Sequence, residues 1–386
     1  MRRWALRLVG AALLIAVAVA IWQRDAIARL HAVTTLFDEG RIVQNFSHMD
    51  RLFDTAPIPV TRTPKPLEEG PAMPLPAGWQ EWLDRRAVTG IVVLHDGAVV
   101  SEGYRMGTTR EDQRVSWSVA KSYLSMLVGV MLNQGAIASL DDPVDKYAPA
   151  LRGSAYEGVS IRHVLQMSSG VAFDEDYFDF FSDINRMGRV LALGGSMDRF
   201  AAAREDRTGP AGDDWQYVSI DTHVLSMVLR GATGEDIPTL MGRYILDPLG
   251  AWGAPHYVTD GHGVAFVLGG LNLTTRDYAR MGELARLNGR FDGRRIVPAD
   301  WMTESTRASA PTDPGAMGYG YQWWIPADAR AGEFLARGVY GQFVYVDQQS
   351  GVVVAVNGAD RQFRAPGALD DAIGMFRTIA RTYDRE

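Results

Sequence analysis

Two strand-rich stretches lie at opposite ends of this chain, and that separation limits what it can fold into more than any other feature. The first, "GIVVLHDGAVVSEGY" (90 to 104), has two β-branched runs around Asp96-Gly97, a strong hairpin signal. The second, "EFLARGVYGQFVYVDQQSGVVVAVNG" (333 to 358), again alternates β-branched and aromatic residues between glycine turns. Between them lies "VAKSYLSMLVGVMLNQG", apolar on nearly every side and stopped at Gly135, which predicts a buried central helix. Residues 136 to 260 read as helices and loops without convincing strands. The chain closes on an amphipathic helix with Leu369, Ala372, Ile373, Phe376 and Ile379 at helical spacing. The predicted fold class is α/β of the α+β type: one antiparallel sheet flanked by helices, with a helical subdomain inserted at about 136–260.

The amino-terminal segment reads differently. Arg2, Arg3 and Arg7 precede an uncharged run from Leu8 to Gln23. Counted from Trp4 with Arg7 snorkelling, the run is just long enough for one transmembrane helix. The alternative is a cleaved signal peptide, since Ala18-Val19-Ala20 offers a small-x-small site. Residues 1–24 are thus expected to anchor the chain in the inner membrane with the rest of it periplasmic, or to direct its secretion. Residues 25–78 are expected to form a juxtamembrane helix and a proline-rich linker, and the folded domain is placed at 79–386.

Composition removes whole classes of chemistry. With no cysteine, thiol catalysis, disulfides and zinc-thiolate sites are excluded. A net charge of −7 without a basic cluster argues against a nucleic-acid partner. The seven histidines include no His-x-x-x-His pair, so no metal site is expected. There is no Gly-x-Ser-x-Gly, which removes the α/β-hydrolase elbow.

One residue type is conspicuously scarce. Of 39 basic residues only Lys65, Lys121 and Lys146 are lysine. Lysine can lose its proton when desolvated, and arginine effectively cannot. Lys121 follows Ser118 by three positions, so on a helix the two side chains share a face, as a nucleophile and its base would. Burial lowers a lysine pKa toward the range useful to a base. The plainer alternative is that Ser118 merely caps the helix.

The chain resembles the serine hydrolases related to class C β-lactamases and penicillin-binding proteins, above all the 6-aminohexanoate-dimer hydrolase and esterase branch. The resemblance runs from about Trp79 to Phe376. It rests on "SWSVAKS", "LDDPVDKYAPAL", "SIRHVLQMSSGV", "WQYVSIDTHVLSMVL", "GGLNLTTRDYARMGEL", "YGYQWW" and "YGQFVYVD" in that order. It implies a β-lactamase/transpeptidase-like fold, and Tyr217 as the tyrosine facing Ser118 and Lys121; read from the residues alone, Tyr217 is equally a core tyrosine. Ser219 stands where the family commonly has asparagine. The third motif is placed at Val339-Tyr340-Gly341, where the usual cation is missing. That placement makes Gly341 a point of close backbone approach, or only a strand bulge, and makes the amide of Gln342 an oxyanion donor. In the acidic, aromatic loop "FDEDYFDFF", Tyr177 is the expected substrate contact, while Tyr321 and Trp323 are candidates to wall the cleft.

Together these readings predict a serine hydrolase that cleaves a small-molecule ester or amide through Ser118, with Lys121 as base, Tyr217 as proton shuttle and no cofactor. A DD-peptidase or β-lactamase, or a catalytically silent sensor on the same fold, are the alternatives.

Overall fold

The computed structural model describes residues 2–22 and 24–384. Its centre is a seven-stranded sheet, antiparallel at every pairing. From one edge the strands run Ala98–Tyr104, Val88–His95, Val352–Gly358, Gln342–Asp347, Glu333–Gly338, Trp324–Ile325 and Gly318–Tyr319. Strands from the two ends of the chain therefore meet in mid-sheet, where Val88–His95 pairs with Val352–Gly358. The Asp96-Gly97 turn has both residues at positive φ (46° and 84°), as a two-residue hairpin turn requires.

Alternation along each strand assigns its side chains to two faces. Ile91, Val93, Phe343, Tyr345, Val354 and Val356 join Trp79, Trp82, Phe376 and Ile379 from the flanking helices Trp79–Arg85 and Ala368–Arg381. Val92, Leu94, Val344, Val346, Val353 and Ala355 face the larger core, built on the helices Val119–Asn133 and Thr275–Arg286. The latter helix lies close on the sheet at Gly282, where a Cβ would come within 2.3 Å of Val353.

Between Val115 and His256 the described residues hold no strand, and the chain passes through short helices and the long helix Ser219–Thr233. It then forms His256–Val258, in a small second sheet ordered Thr55–Pro57, His256–Val258, Leu271–Leu273, Arg114–Val115.

Two expectations for the amino-terminal part are corrected. Among the described residues, no helix is long and apolar enough to cross a membrane. The helix Arg2–Trp22 has arginines in its first two turns, leaving an uncharged stretch of roughly 22 Å at 1.5 Å per residue. A bilayer core needs ~30 Å. Residue 23 of the expected span lies outside the described residues.

Residues 25–78 are not a free linker. Leu36, Ile42, Phe46, Met49, Phe53 and Ile58 are buried in the main core, and Thr55–Pro57 is a strand of the small sheet. The wholly buried Arg114 fastens this segment from below, donating to the Val43 carbonyl at 2.8 Å and to the hydroxyls of Ser47 and Thr89.

Candidate active site

Ser118 stands at the start of the Val119–Asn133 helix, and its side chain makes no capping hydrogen bond. It instead accepts a hydrogen bond from Lys121 Nζ at 3.2 Å. The capping alternative is thereby removed, because the hydroxyl turns sideways to the lysine one helical turn on. Trp117, just before it, is held at φ 42°, a conformation costly for a residue with a side chain.

Lys121 is only 1% exposed on a helix buried almost throughout. Its ammonium also donates to the Leu268 carbonyl at 3.0 Å and to Ser219 Oγ at 3.4 Å. Burial lowers its pKa to about 7, against the opposing pull of Glu175 and Asp221. That brings the free amine, which can accept a proton, within reach near neutral pH.

Tyr217 closes this group from the preceding loop. Lys121 Nζ lies 5.4 Å from its ring centroid, and the ring stacks on Trp324 at 5.4 Å. Burial raises the phenol pKa and Glu175 adds to the rise, while a hydrogen bond with Ser118 and the Arg337 guanidinium oppose it. Tyr217 thus keeps its proton in the resting site.

Glu175 was not singled out in the sequence. It accepts from the Ser219 amide at 3.0 Å, from Ser219 Oγ at 2.5 Å and from the Tyr177 hydroxyl at 2.7 Å. Burial raises its pKa, opposed first by Lys121 and then by these donors. Ser219 thus bonds both the lysine and a carboxylate delivered by the acidic loop. Asp221, fully buried below, accepts from Tyr156 at 2.6 Å and Ser169 at 2.9 Å. Burial pushes it up to about 8.

The far wall differs from the sequence expectation. Gly338, at the end of the strand Glu333–Gly338, faces Ser118: a Cβ there would lie 2.8 Å from the Ser116 carbonyl and 3.0 Å from the Ser118 amide nitrogen. The strand end that passes the nucleophile is therefore Ala336-Arg337-Gly338, followed by Val339. Gly341 lies in the turn beyond, at φ 82°, facing Asp360 and Gly358.

Gln342 is 1% exposed, and its side chain serves the hairpin. Its amide donates to the Gly358 carbonyl at 2.8 Å and accepts from Asn357 at 3.1 Å. The close backbone approach to Ser118 is therefore made by Gly338 in place of the expected Gly341, and the turn carries Gly341 and Gln342 beyond the residues that line the cleft. The signal was a second glycine three residues upstream, in "RGVYG".

The resulting open cleft is bounded by Ser118, Tyr177, Tyr217, Trp324, Arg337 and Val339. Tyr321 and Trp323, 1% and 0% exposed, belong to the core instead, and their neighbour Trp324 reaches the cleft. Among the described residues, no cluster of His, Asp and Glu could hold a metal ion.

A family profile described as Beta-lactamase matches residues 80–373. The chain belongs to that family, the serine-hydrolase fold family that also contains the 6-aminohexanoate-dimer hydrolases. The 6-aminohexanoate-dimer hydrolase of Paenarthrobacter ureafaciens is 29% identical over 290 residues, covering 71% of this chain and 73% of that one. A Bacillus anthracis protein provisionally named a 6-aminohexanoate-dimer hydrolase superposes with a TM-score of 0.76 at 22% identity, over 90% of this chain and 95% of that one. EstCE1, described as a hydrolase with promiscuous acyltransferase activity, gives 0.61 at 18% identity, over 78% and 96%. At such identities the structural matches speak for the fold alone.

Proposed function

We propose that this chain hydrolyses esters or amides through an acyl-enzyme on Ser118. The observation that carries the reading is the Lys121–Ser118 hydrogen bond of 3.2 Å in a setting that lowers the lysine pKa to about 7. Neutral Lys121 takes the Ser118 proton as Oγ attacks the substrate carbonyl. The oxyanion that forms is met by the amides of Ser118 and Val339. Tyr217, kept as a phenol by burial, donates its proton to the leaving oxygen or nitrogen and is resupplied from the Lys121 ammonium. Water then attacks the acyl ester, and Ser118 recovers its proton.

The name of the 29% identical relative, a 6-aminohexanoate-dimer hydrolase, supports a hydrolytic reaction. A DD-peptidase or β-lactamase is the weaker reading, since the strand wall Ala336-Arg337-Gly338 carries neither lysine nor histidine. A silent sensor does not account for a lysine held near neutrality beside a serine. For location, Arg2, Arg3 and Arg7 ahead of an apolar helix support export, with the hydrolase working outside the cytoplasm. Fractionation with amino-terminal sequencing checks that point.

The test of the chemistry is a panel of p-nitrophenyl esters, ω-amino-acid amides and nitrocefin, with intact-mass detection of the acyl adduct. Turnover of esters or amides with an adduct on Ser118 is expected. Turnover confined to nitrocefin would favour the β-lactamase reading.

A further inference from the structure

Arg337 projects into the cleft beside Ser118, half-buried, with its guanidinium 5.4 Å from the Trp324 ring. Among the described residues it has no hydrogen bond or ion pair with a carboxylate. The charged neighbour acting on it is Arg364, a second cation at the cleft mouth, and the phenols of Tyr217 and Tyr177 are the other groups in range. Glu175, the acid in the same cleft, is engaged by Ser219, Tyr177 and the field of Lys121. Other sheltered arginines are satisfied: Arg276 by Glu102, Arg280 by Asp277, Arg286 by Glu283, Arg330 by Asp347, and the buried Arg114 by the Val43 carbonyl and the Ser47 and Thr89 hydroxyls. Among the described residues Arg337 has neither kind of partner, and it lines the cleft.

A half-desolvated guanidinium without an anion is costly, and it presents a planar fork of donors suited to a carboxylate. Arg337, Gly338 and Phe363 also border a second cavity, lined further by Arg86 and Asp360. We infer that Arg337 is a specificity-determining residue that binds a carboxylate carried by the substrate, so that the preferred substrates are anionic esters or amides with the charge a short chain away from the scissile carbonyl. Arg364 adds attraction at the mouth; its 4.0 Å approach to Asp176 is loose and exposed. The inference rests on the hydrolase reading above.

The experiment compares p-nitrophenyl pentanoate with mono-p-nitrophenyl glutarate, which have five acyl carbons each and differ in a terminal methyl against a carboxylate. Wild-type protein is expected to favour the glutarate ester in kcat/KM, and the preference should shrink as salt is raised. In Arg337→Gln the ratio of the two kcat/KM values should fall by about ten- to a hundredfold, chiefly through KM of the glutarate, as for a lost charge-assisted hydrogen bond. Arg337→Lys should recover part of it. Equal losses on both esters in Arg337→Gln would assign the residue a structural role and overturn the inference. Wild-type protein that cleaves both esters equally would overturn it while leaving the hydrolase reading standing. A chain that cleaves neither and takes no fluorophosphonate would overturn both.

Discussion

The floor and the strand-side wall of the cleft each present one cation, and the two are treated in opposite ways. On the floor, Lys121 is enclosed and bonded to Ser118, Ser219 and the Leu268 carbonyl, with two carboxylates nearby. On the wall, Arg337 faces open space with no acid to neutralise it. Enclosure lowers the lysine pKa toward neutrality, as the proposed base requires, whereas an arginine in similar shelter stays charged, as the inferred carboxylate site requires. On the proposed readings, the same sign of charge would serve reactivity in one region and recognition in the other.

That contrast can be broken in stages. The largest effect is expected for Ser118→Ala, which removes the bond-forming atom. Ester turnover should fall by about 10⁴ to 10⁶, with fluorophosphonate labelling lost and the thermal midpoint preserved. Retained labelling would move the nucleophile elsewhere. Lys121→Arg then asks whether the floor cation must lose its proton. Charge is kept and deprotonation is not, so a loss of ~10² to 10⁴ is expected. Near-normal rates would mean that Lys121 acts by its field alone.

The wall is probed by a pair of changes on one hairpin. In Gly338→Ala the new methyl would press on the Ser118 amide, and a loss of roughly 10² in kcat is expected, as for one oxyanion donor. Gln342→Ala should instead appear as about 2 kcal/mol of lost stability in urea unfolding, because buried partners at Gly358 and Asn357 are left unmet. Unchanged stability in Gln342→Ala would show that its side-chain bonds do not hold the hairpin.

The smallest effect concerns pH. The base must be unprotonated, so kcat/KM should climb as pH rises through about 7, the lysine value. The Glu175 charge holds that value up. In Glu175→Gln the rising limb should therefore move to lower pH, which a pH–rate profile reads directly. A limb that stays in place would detach it from Lys121.

Much of the floor was legible because it is local. Ser118 and Lys121 share one helix, and three residues of spacing suffice to bring them together. The sheet was legible for a similar reason, since period-2 runs and the Asp-Gly turn mark strands without reference to distant partners. The wall was not, because its register depends on where the strand stops. The chain leaves the strand at Gly338, and motif spacing alone does not distinguish "RGV" from "VYG". Glu175 was missed because a carboxylate in an acidic loop looks solvated until Ser219, 44 residues on, is folded against it. The role of residues 25–78 was hidden by composition: prolines and scattered apolar residues resemble a tether, and only tertiary contacts show them packed in the core.

Trp117 before the nucleophile and Tyr340 just past Val339 are both held at positive φ (42° and 60°), and their rings meet 6.5 Å apart. Phe37 stacks on Tyr340 at 4.7 Å and Phe46 lies 5.4 Å from Trp117, so both strained residues lean on the amino-terminal segment. A chain trimmed to start at residue 80, where the family match begins, would keep every side chain named in the chemistry and lose this splint. It would also strip the strand Thr55–Pro57 from His256–Val258, leaving a raw β-edge open to self-association. The smallest working unit is accordingly larger than the portion the family profile matches, and a shortened version is expected to slacken at the cleft mouth and clump in solution.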